Sequence, residues 1–295
     1  MIVVLGAFGR TGRVVAETLK KVGSVRLVTR QAGRRSPGPA VEVARADLAD
    51  EVELGHALKG ARALYALLPD DFTVPEFHAR RRLMAENVAR AIRREQISRV
   101  VLLSSSSASL GERGGNGFGA DLAYFERVVL DTNAAVSVLR ASYFQDNVLE
   151  ALQLAEHEGL YANLMPSRET PVVTIAAQDV GAFAAAALLE PPRAASEIVD
   201  LIGPTYSPNR MALQLGVAIG RPVSIVDVPA AGQEAMLRQR MSRDAARAMV
   251  ETLACIASGR ILSAGNRIER GQTRLEELLR MALSRRPAGP AEVQP

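Results

Sequence analysis

The chain has 295 residues, 48% of them apolar, enough for one large α/β domain or a nucleotide-binding domain with a smaller companion. Aromatic residues make up only 4% and Trp is absent, which argues against stacking-based recognition of single-stranded nucleic acid, and the net charge of +4 rests on scattered arginines that imply at most a mild preference for anions. The single cysteine, Cys255, excludes an intrachain disulfide framework, and the lack of a leader-like N-terminus or of an apolar run near the ~18 residues of a membrane span sets the expectation of a cytoplasmic protein that meets no membrane.

Ile2-Val3-Val4-Leu5 reads as a buried strand. Gly6-Ala7-Phe8-Gly9-Arg10-Thr11-Gly12 follows at once, and Val14, Val15, Leu19 and Val22 then recur with helical spacing. Strand, glycine turn and helix in this order are the setting of a dinucleotide site. Gly6 can take the backbone angles of the turn, Gly9 lets a phosphate approach the main chain, and Gly12 lets the helix lie close on the strand. The free amides of the first helical turn then face the ligand. The spacing is G-x-x-G-x-x-G, and the alternative is an ordinary strand–helix turn that holds nothing. The place of the glycines, directly after an N-terminal buried strand, favours the dinucleotide.

Val25 to Arg30 is the second strand, and the Gly/Pro/Arg-rich stretch 31–39 is a loop. The end of this strand is where the adenosine ribose of a dinucleotide sits. An NAD site places a carboxylate there to hold the 2′-hydroxyl, whereas this chain places Arg30, with Arg34 and Arg35 close behind. A guanidinium pairs bidentately with a 2′-phosphate, so NADP(H) is expected over NAD. The alternative is a solvated basic loop.

Strands and helices go on alternating. Val41–Ala44 is a third strand, and Asp47-Leu48 precedes a helix over about 50–59. Ala63–Leu68 is a fourth strand ending at Pro69, and Asp70-Asp71 reads as a turn. A helix over about 74–95 carries six arginines on what reads as a solvated face. Arg99–Leu103 is a fifth strand running into Ser104 to Ser107. A glycine-rich loop over 111–119, long enough to move over a site, leads to a helix over about 121–131 and a sixth strand, Val136–Arg140. The alternation means a parallel sheet covered on both faces, with ligands beyond the carboxyl ends of the strands.

The second half is less regular. The pattern predicts a helix over 143–156, a strand over 171–175, a helix over 178–189, a strand over 198–202, a helix capped by Ser207, a strand over 223–228 and helix from 232 to about 280. The expected division is a dinucleotide-binding domain over 1–150, completed by 171–190, and a smaller lobe over 151–295 with a frayed tail from 284. The three histidines, His56, His78 and His157, lack metal-ligand spacing, so no metal site is expected.

Several of these pieces together resemble the NmrA-like family of atypical short-chain dehydrogenase/reductase proteins. They are the glycine turn at 6–12, Thr29-Arg30, Ala46-Asp47-Leu48, Leu102-Leu103-Ser104-Ser105 and Leu139-Arg140. Tyr143-Phe144-Gln145-Asp146-Asn147, Gln178-Asp179-Val180-Gly181-Ala182 and Ile202-Gly203-Pro204 follow, then Ala257-Ser258-Gly259 and Thr273-Arg274-Leu275-Glu276-Glu277. The resemblance implies a Rossmann-type doubly wound parallel sheet with a smaller, mostly helical C-terminal lobe, and NADP(H) as cofactor. It implies that Gly6, Phe8, Gly9, Arg10, Thr11 and Gly12 hold the cofactor with Arg30. Asp47 would contact the adenine and Leu67, Leu68 and Pro69 the ribose-phosphate path. Ser104 and Ser105 would lie near the nicotinamide, and Phe144 and Asn147 on the substrate side.

One departure bears on the chemistry. Many reductases of the wider superfamily use Tyr-x-x-x-Lys, in which the lysine lowers the tyrosine pKa for proton exchange with a carbonyl. Here Tyr124 is followed four residues on by Val128. The lysine that many NmrA-like reductases carry four residues before the glutamate of this helix falls at Leu122, and no lysine occurs after Lys59. Ser104 and Tyr124 are the remaining catalytic candidates. The Ser104 hydroxyl would serve the nicotinamide amide or a substrate carbonyl, or simply satisfy backbone groups at a strand end. Tyr124 would lie near the site or in the packing of its helix. Two functions are therefore expected in parallel. One is an NADPH-dependent oxidoreductase acting on a small apolar acceptor such as a quinone, whose protons can come from water. The other is a non-catalytic NADP(H) redox sensor that binds a regulatory protein partner. The expected partners are a small-molecule substrate or that regulator, in a monomer or homodimer, with no nucleic acid.

Overall fold

The computed structural model describes residues 1–31, 33, 38, 40–111, 117–259, 265 and 267–285. The expected positions Arg34 and Arg35, most of the glycine-rich loop over 111–119 and the tail from 286 lie outside the described residues. The first half alternates as its periodicity dictates: β1 (Ile2–Leu5), α1 (Arg10–Leu19), β2 (Val25–Thr29), β3 (Val41–Arg45), α2 (Glu51–Leu58), β4 (Ala63–Ala66), α3 (Phe77–Arg94), β5 (Arg99–Ser105), a short α4 (Ala108–Gly111), α5 (Phe118–Leu130) and β6 (Ala135–Ala141). The second half runs β7 (Tyr143–Phe144), a 3-10 helix (Gln145–Ala151), α6 (Leu152–Glu158), β8 (Leu160–Asn163), β9 (Val172–Ile175), α7 (Ala177–Leu189), β10 (Ser196–Ile202) and β11 (Thr205–Tyr206). It ends with α8 (Pro208–Ile219), β12 (Ser224–Asp227), α9 (Ala230–Leu237), α10 (Arg243–Ala257), β13 (Arg267–Arg270) and α11 (Leu275–Ser284).

Eight strands form one sheet in the order β13-β10-β6-β5-β4-β1-β2-β3, and every neighbouring pair is parallel. This is the doubly wound Rossmann-type fold expected from the alternation, with a smaller, mostly helical C-terminal region. Successive residues of a strand point to opposite faces, and the two cores follow that rule. Val3, Leu5, Val100, Leu102, Val136 and Val138 pack under α2, α3 and α5 with Leu58, Val88 and Phe125. Val4, Val101 and Leu139 pack on the other face with Val15 and Leu19 of α1 and Val180 and Ala184 of α7. A third core joins Val148, Leu152, Met211, Leu215, Leu275 and Leu279. Because all eight strands run the same way, their carboxyl ends share one edge, and the turns at that edge carry the candidate site.

Three expectations in the second half need correction. The predicted helix over 143–156 is a strand, a 3-10 helix and an α-helix. Tyr143 and Phe144 pair with Thr174 and Ile175 of β9 instead of coiling, and the Asp146 carboxylate accepts the first amide of α7, from Ala177, at 2.8 Å. The predicted continuous helix from 232 is broken by β13, which joins β10 at the edge of the main sheet. Arg-Ile-Glu-Arg carries a single apolar residue, too short a pattern to show a period. β8 went unpredicted for a similar reason and is held by β12. Among the described residues, no helix is long and apolar enough to cross a membrane, and no group of three or more His, Cys, Asp or Glu could hold a metal.

Candidate functional site

The glycine turn is built by sterics. Gly6 has φ +61°, a left-handed conformation that favours glycine. Its carbonyl accepts the Gly9 amide at 2.9 Å, and the Gly9 carbonyl accepts the Arg13 amide at 3.0 Å. Helix α1 therefore starts at Arg10 with a glycine N-cap that offers no side chain. The amides of Arg10, Thr11 and Gly12 precede the first helical hydrogen bond and point off the end of the sheet. A Cβ on Gly12 would run into the Gly6 carbonyl oxygen. A Cβ on Gly181 would run into Val14 and the Thr11 carbonyl, so that glycine lets α7 press on α1. The Thr11 side chain turns inward, where its hydroxyl accepts from the buried Tyr65 phenol at 2.9 Å; burial pushes that phenol pKa up. Phe8 stands half-exposed at the crest.

Charged pairs bracket this turn. Arg30 follows β2 and donates from Nη1 to Asp71 Oδ2 at 2.9 Å, reaching across from the β2 end to the loop after β4. The Arg30 guanidinium beside Asp71 holds that carboxyl below the ordinary value, with the Thr73 hydroxyl also donating to it. Asp47, after β3, accepts Arg80 Nη2 at 2.6 Å and caps the Ala49 amide at 2.9 Å. Leu67 packs beside Gly6, and Leu68 is buried with Pro69 following it. The acidic pair expected to be only a turn is more than that: Asp70 accepts Arg81 Nη1 at 2.5 Å and Asp71 holds Arg30. On the other side Arg10 leaves the turn, donating to Asn147 Oδ1 at 2.9 Å and Glu150 Oε1 at 2.6 Å on the 3-10 helix. The Tyr143 hydroxyl also bonds Asn147, and its pKa is raised by burial. Phe144 packs beside the α1 and α7 core.

The β5 end is of a different kind. The register sets Ser104 beside Arg140 of β6 on the face covered by α5. Glu126 of α5 lies across both, accepting Arg140 Nη2 at 2.6 Å, Arg140 Nε at 3.0 Å and the Ser104 hydroxyl at 2.5 Å. Arg140 is 1% and Glu126 2% exposed, and Ser104 is buried. The one proton of the Ser104 hydroxyl is thus committed to a carboxylate, and its oxygen is left as an acceptor. Ser105 Oγ accepts the Ser107 amide and hydroxyl. Tyr124, the other catalytic candidate, donates to Glu86 Oε1 at 2.6 Å, halfway along α3. That bond raises its pKa, the opposite of tuning toward proton exchange. Leu122, at the position of the expected lysine, packs against the core. The structure thus brings the glycine turn, Arg30, Asp47, Leu67 to Pro69, Ser104 and Ser105 to one edge, and turns Tyr124 toward α3. Sequence reasoning gave none of Asp71, Arg80, Glu126 and Glu150 as a partner of these residues.

The sequence over residues 6–191 matches the NAD(P)H-binding family. The chain belongs to that family. It is also 30% identical over 190 residues to a (4-alkanoyl-5-oxo-2,5-dihydrofuran-3-yl)methyl phosphate reductase of Streptomyces griseus, a match that spans 64% of this chain and less than two thirds of that relative, 63%. Two solved structures share the fold over nearly the full length. An NADPH-dependent quinone oxidoreductase from Escherichia coli, complexed with NADPH, aligns with TM-score 0.77 at 18% identity over 96% of this chain and 100% of its own. Triphenylmethane reductase of Citrobacter sp., complexed with NADP(H), aligns with TM-score 0.73 at 16% identity over 95% and 99%. At these identities the likeness shows the fold. Family membership agrees with the NmrA-like resemblance and makes the ligand a nicotinamide dinucleotide. The residues present fit one, because Gly12 lets α1 lie directly against the Gly6 carbonyl, where a Cβ has no room, and the helix starts with three uncapped amides.

Proposed function

We propose that the chain is an NADPH-dependent oxidoreductase that reduces a small apolar acceptor such as a quinone. In this reading the first-turn amides of α1 hold the pyrophosphate, with Phe8 and Arg10 beside it. Arg30 pairs with the 2′-phosphate, Asp47 meets the adenine, and Leu67 to Pro69 line the ribose-phosphate path. Ser104 accepts an N–H from the carboxamide, Ser105 lies next to it, and Phe144 and Asn147 face the substrate. NADPH, when bound, supplies a hydride. The single observation that carries the choice of acceptor is where the candidate protons go. Ser104 gives its proton to Glu126, Tyr124 gives its own to Glu86, and Leu122 occupies the lysine position. A quinone that has taken up a hydride is a stabilised oxyanion that water protonates, so it needs no side-chain acid. A ketone does need one. The names of the two solved neighbours, a quinone oxidoreductase and a triphenylmethane reductase, point the same way.

Stopped-flow oxidation of NADPH against a quinone panel tests this. Turnover above background is expected, and Tyr124→Phe should keep it. NADPH bound but not consumed by any acceptor would overturn the reading in favour of the redox-sensing alternative. Loss of turnover in Tyr124→Phe would return the tyrosine to the chemistry. Calorimetric titration tests cofactor choice. A charge-assisted guanidinium–phosphate pair in a partly exposed cleft is worth ~1.5–3 kcal/mol, about one to two decades of affinity. Arg30→Ala should therefore weaken NADP⁺ by that much and leave NAD⁺ nearly unchanged.

A further inference from the structure

The Arg30 guanidinium already has an anion beside it. Asp71 accepts Nη1 at 2.9 Å through Oδ2, and its Oδ1 accepts the Thr73 hydroxyl at 2.9 Å. The pair joins the end of β2 to the loop after β4, the two strands that flank β1 in the sheet, and so spans the glycine turn. It is open to solvent, with the Arg30 side chain 42% and the Asp71 side chain 31% exposed. Among the described residues Asp71 is the hydrogen-bond partner of this guanidinium, and it takes one of five N–H groups. From these contacts we infer that Asp71 is a second specificity-determining residue for the cofactor, working against Arg30 and narrowing the preference for NADP over NAD.

The inference rests on the reading of Arg30 as the 2′-phosphate partner. A phosphate arriving at Arg30 meets the Asp71 carboxylate there. It must either displace the carboxylate or bind next to a like charge, and both weaken NADP. A ribose 2′-hydroxyl meets the opposite situation. A carboxylate is an acceptor with lone pairs to spare, so it takes the 2′-O–H of NAD as a terminal strand carboxylate does in NAD sites. One exposed pair thus offers a cation to one cofactor and an acceptor to the other. Asp71 is a carboxylate whose pKa Arg30 lowers further below the ordinary value, so the opposition does not fade near neutrality.

Asp71→Asn removes the charge and keeps the shape and the acceptor for Thr73. Calorimetric titration of NADP⁺ and NAD⁺ into wild type, Asp71→Asn, Arg30→Ala and the double variant is the test. Asp71→Asn should tighten NADP⁺ by about two- to fivefold, the size of an exposed charge pair, and leave NAD⁺ unchanged or weaker. In the Arg30→Ala background the same substitution should lose most of its effect on NADP⁺, because the group being competed for is gone. Unchanged NADP⁺ affinity in Asp71→Asn, or equal weakening of both cofactors, would overturn the inference and make Asp71 a turn residue only. If NADP⁺ is tightened just as much without Arg30, the competition is likewise overturned. A wild-type protein that binds neither dinucleotide would instead overturn the cofactor reading, and this inference with it.

Discussion

The two ends of the cleft use charge in opposite ways. At the glycine-turn end two of the pairs, Arg30 with Asp71 and Arg10 with Glu150, are exposed and joined by a single bond each. Each is worth no more than ~1 kcal/mol, so an incoming anion can rearrange it. At the β5 end Glu126 and Arg140 are buried and multiply bonded, with the Ser104 hydroxyl added. Such a pair gives little net stability over an apolar one, yet losing one member strands a charge in the core. On the proposed reading the exposed pairs at the adenosine end can give way to a ligand, while the buried group at the β5 end is set before any ligand arrives. A hydride donor must be held closely against its acceptor, and on the proposed reading the rigid end is the one where that matters.

The comparison can be broken most severely at Glu126. Glu126→Ala removes the carboxylate that accepts from both Nε and Nη2 of the buried Arg140 and should cost ~3–5 kcal/mol, read from denaturant midpoints. Asp71→Asn at the exposed end should change stability by less than ~1 kcal/mol in the same experiment. Similar losses for the two would mean that the ends do not differ in kind.

A smaller effect sharpens the same contrast at the turn, which is rigid through sterics. Gly12→Ala drives a methyl against the Gly6 carbonyl oxygen, a backbone atom that cannot move without moving the turn. Overpacking of this sort costs ~1–3 kcal/mol. It should also weaken NADP⁺ and NAD⁺ alike, because both share the pyrophosphate and differ only at the ribose. Titration of both cofactors checks this, and a loss confined to NADP⁺ would assign Gly12 to the adenosine end.

The fold was legible because its signals are local. Apolar runs, the glycine turn and the Ser207 cap each lie within a few residues, and Ser207 accepts a helix amide as its residue type implies. The positions of Arg30 and Ser104 at strand ends were legible for the same reason. What these side chains hold was not. Asp71 is 41 residues from Arg30, and Glu126 is 22 from Ser104. They meet only through strand order and register, which a linear pattern does not contain. The fate of the Ser104 proton, on which the acceptor chemistry turns, is of this kind. So is β13, whose four residues become a strand only because β10 offers an edge.

The smallest effect lies on the seam between α3 and α5, between the two ends. His78 Nδ1 sits 2.6 Å from Asp121 Oδ2, and Asp121 is 1% exposed while His78 is 40% exposed. The hydrogen bond to Asp121 raises the imidazole pKa above the ordinary 6.5. The charges of Asp121 and Asp244 add to the rise, and burial and Arg81 oppose it. A folded-state pKa above the unfolded one means that the folded protein binds the proton more tightly. The stabilisation is therefore fully present below the unfolded value and is lost as pH rises through the folded one. Because the ring is partly solvated, it should amount to no more than ~0.5 kcal/mol. His78→Gln keeps a hydrogen-bonding side chain and removes the titration. The stability gap between wild type and His78→Gln, from urea midpoints, should be widest at about pH 5.5 and close by about pH 8.5. A gap that stays constant over that range would mean that a neutral imidazole holds Asp121. The seam would then be fixed by a hydrogen bond alone, with no part of its stability carried by a proton.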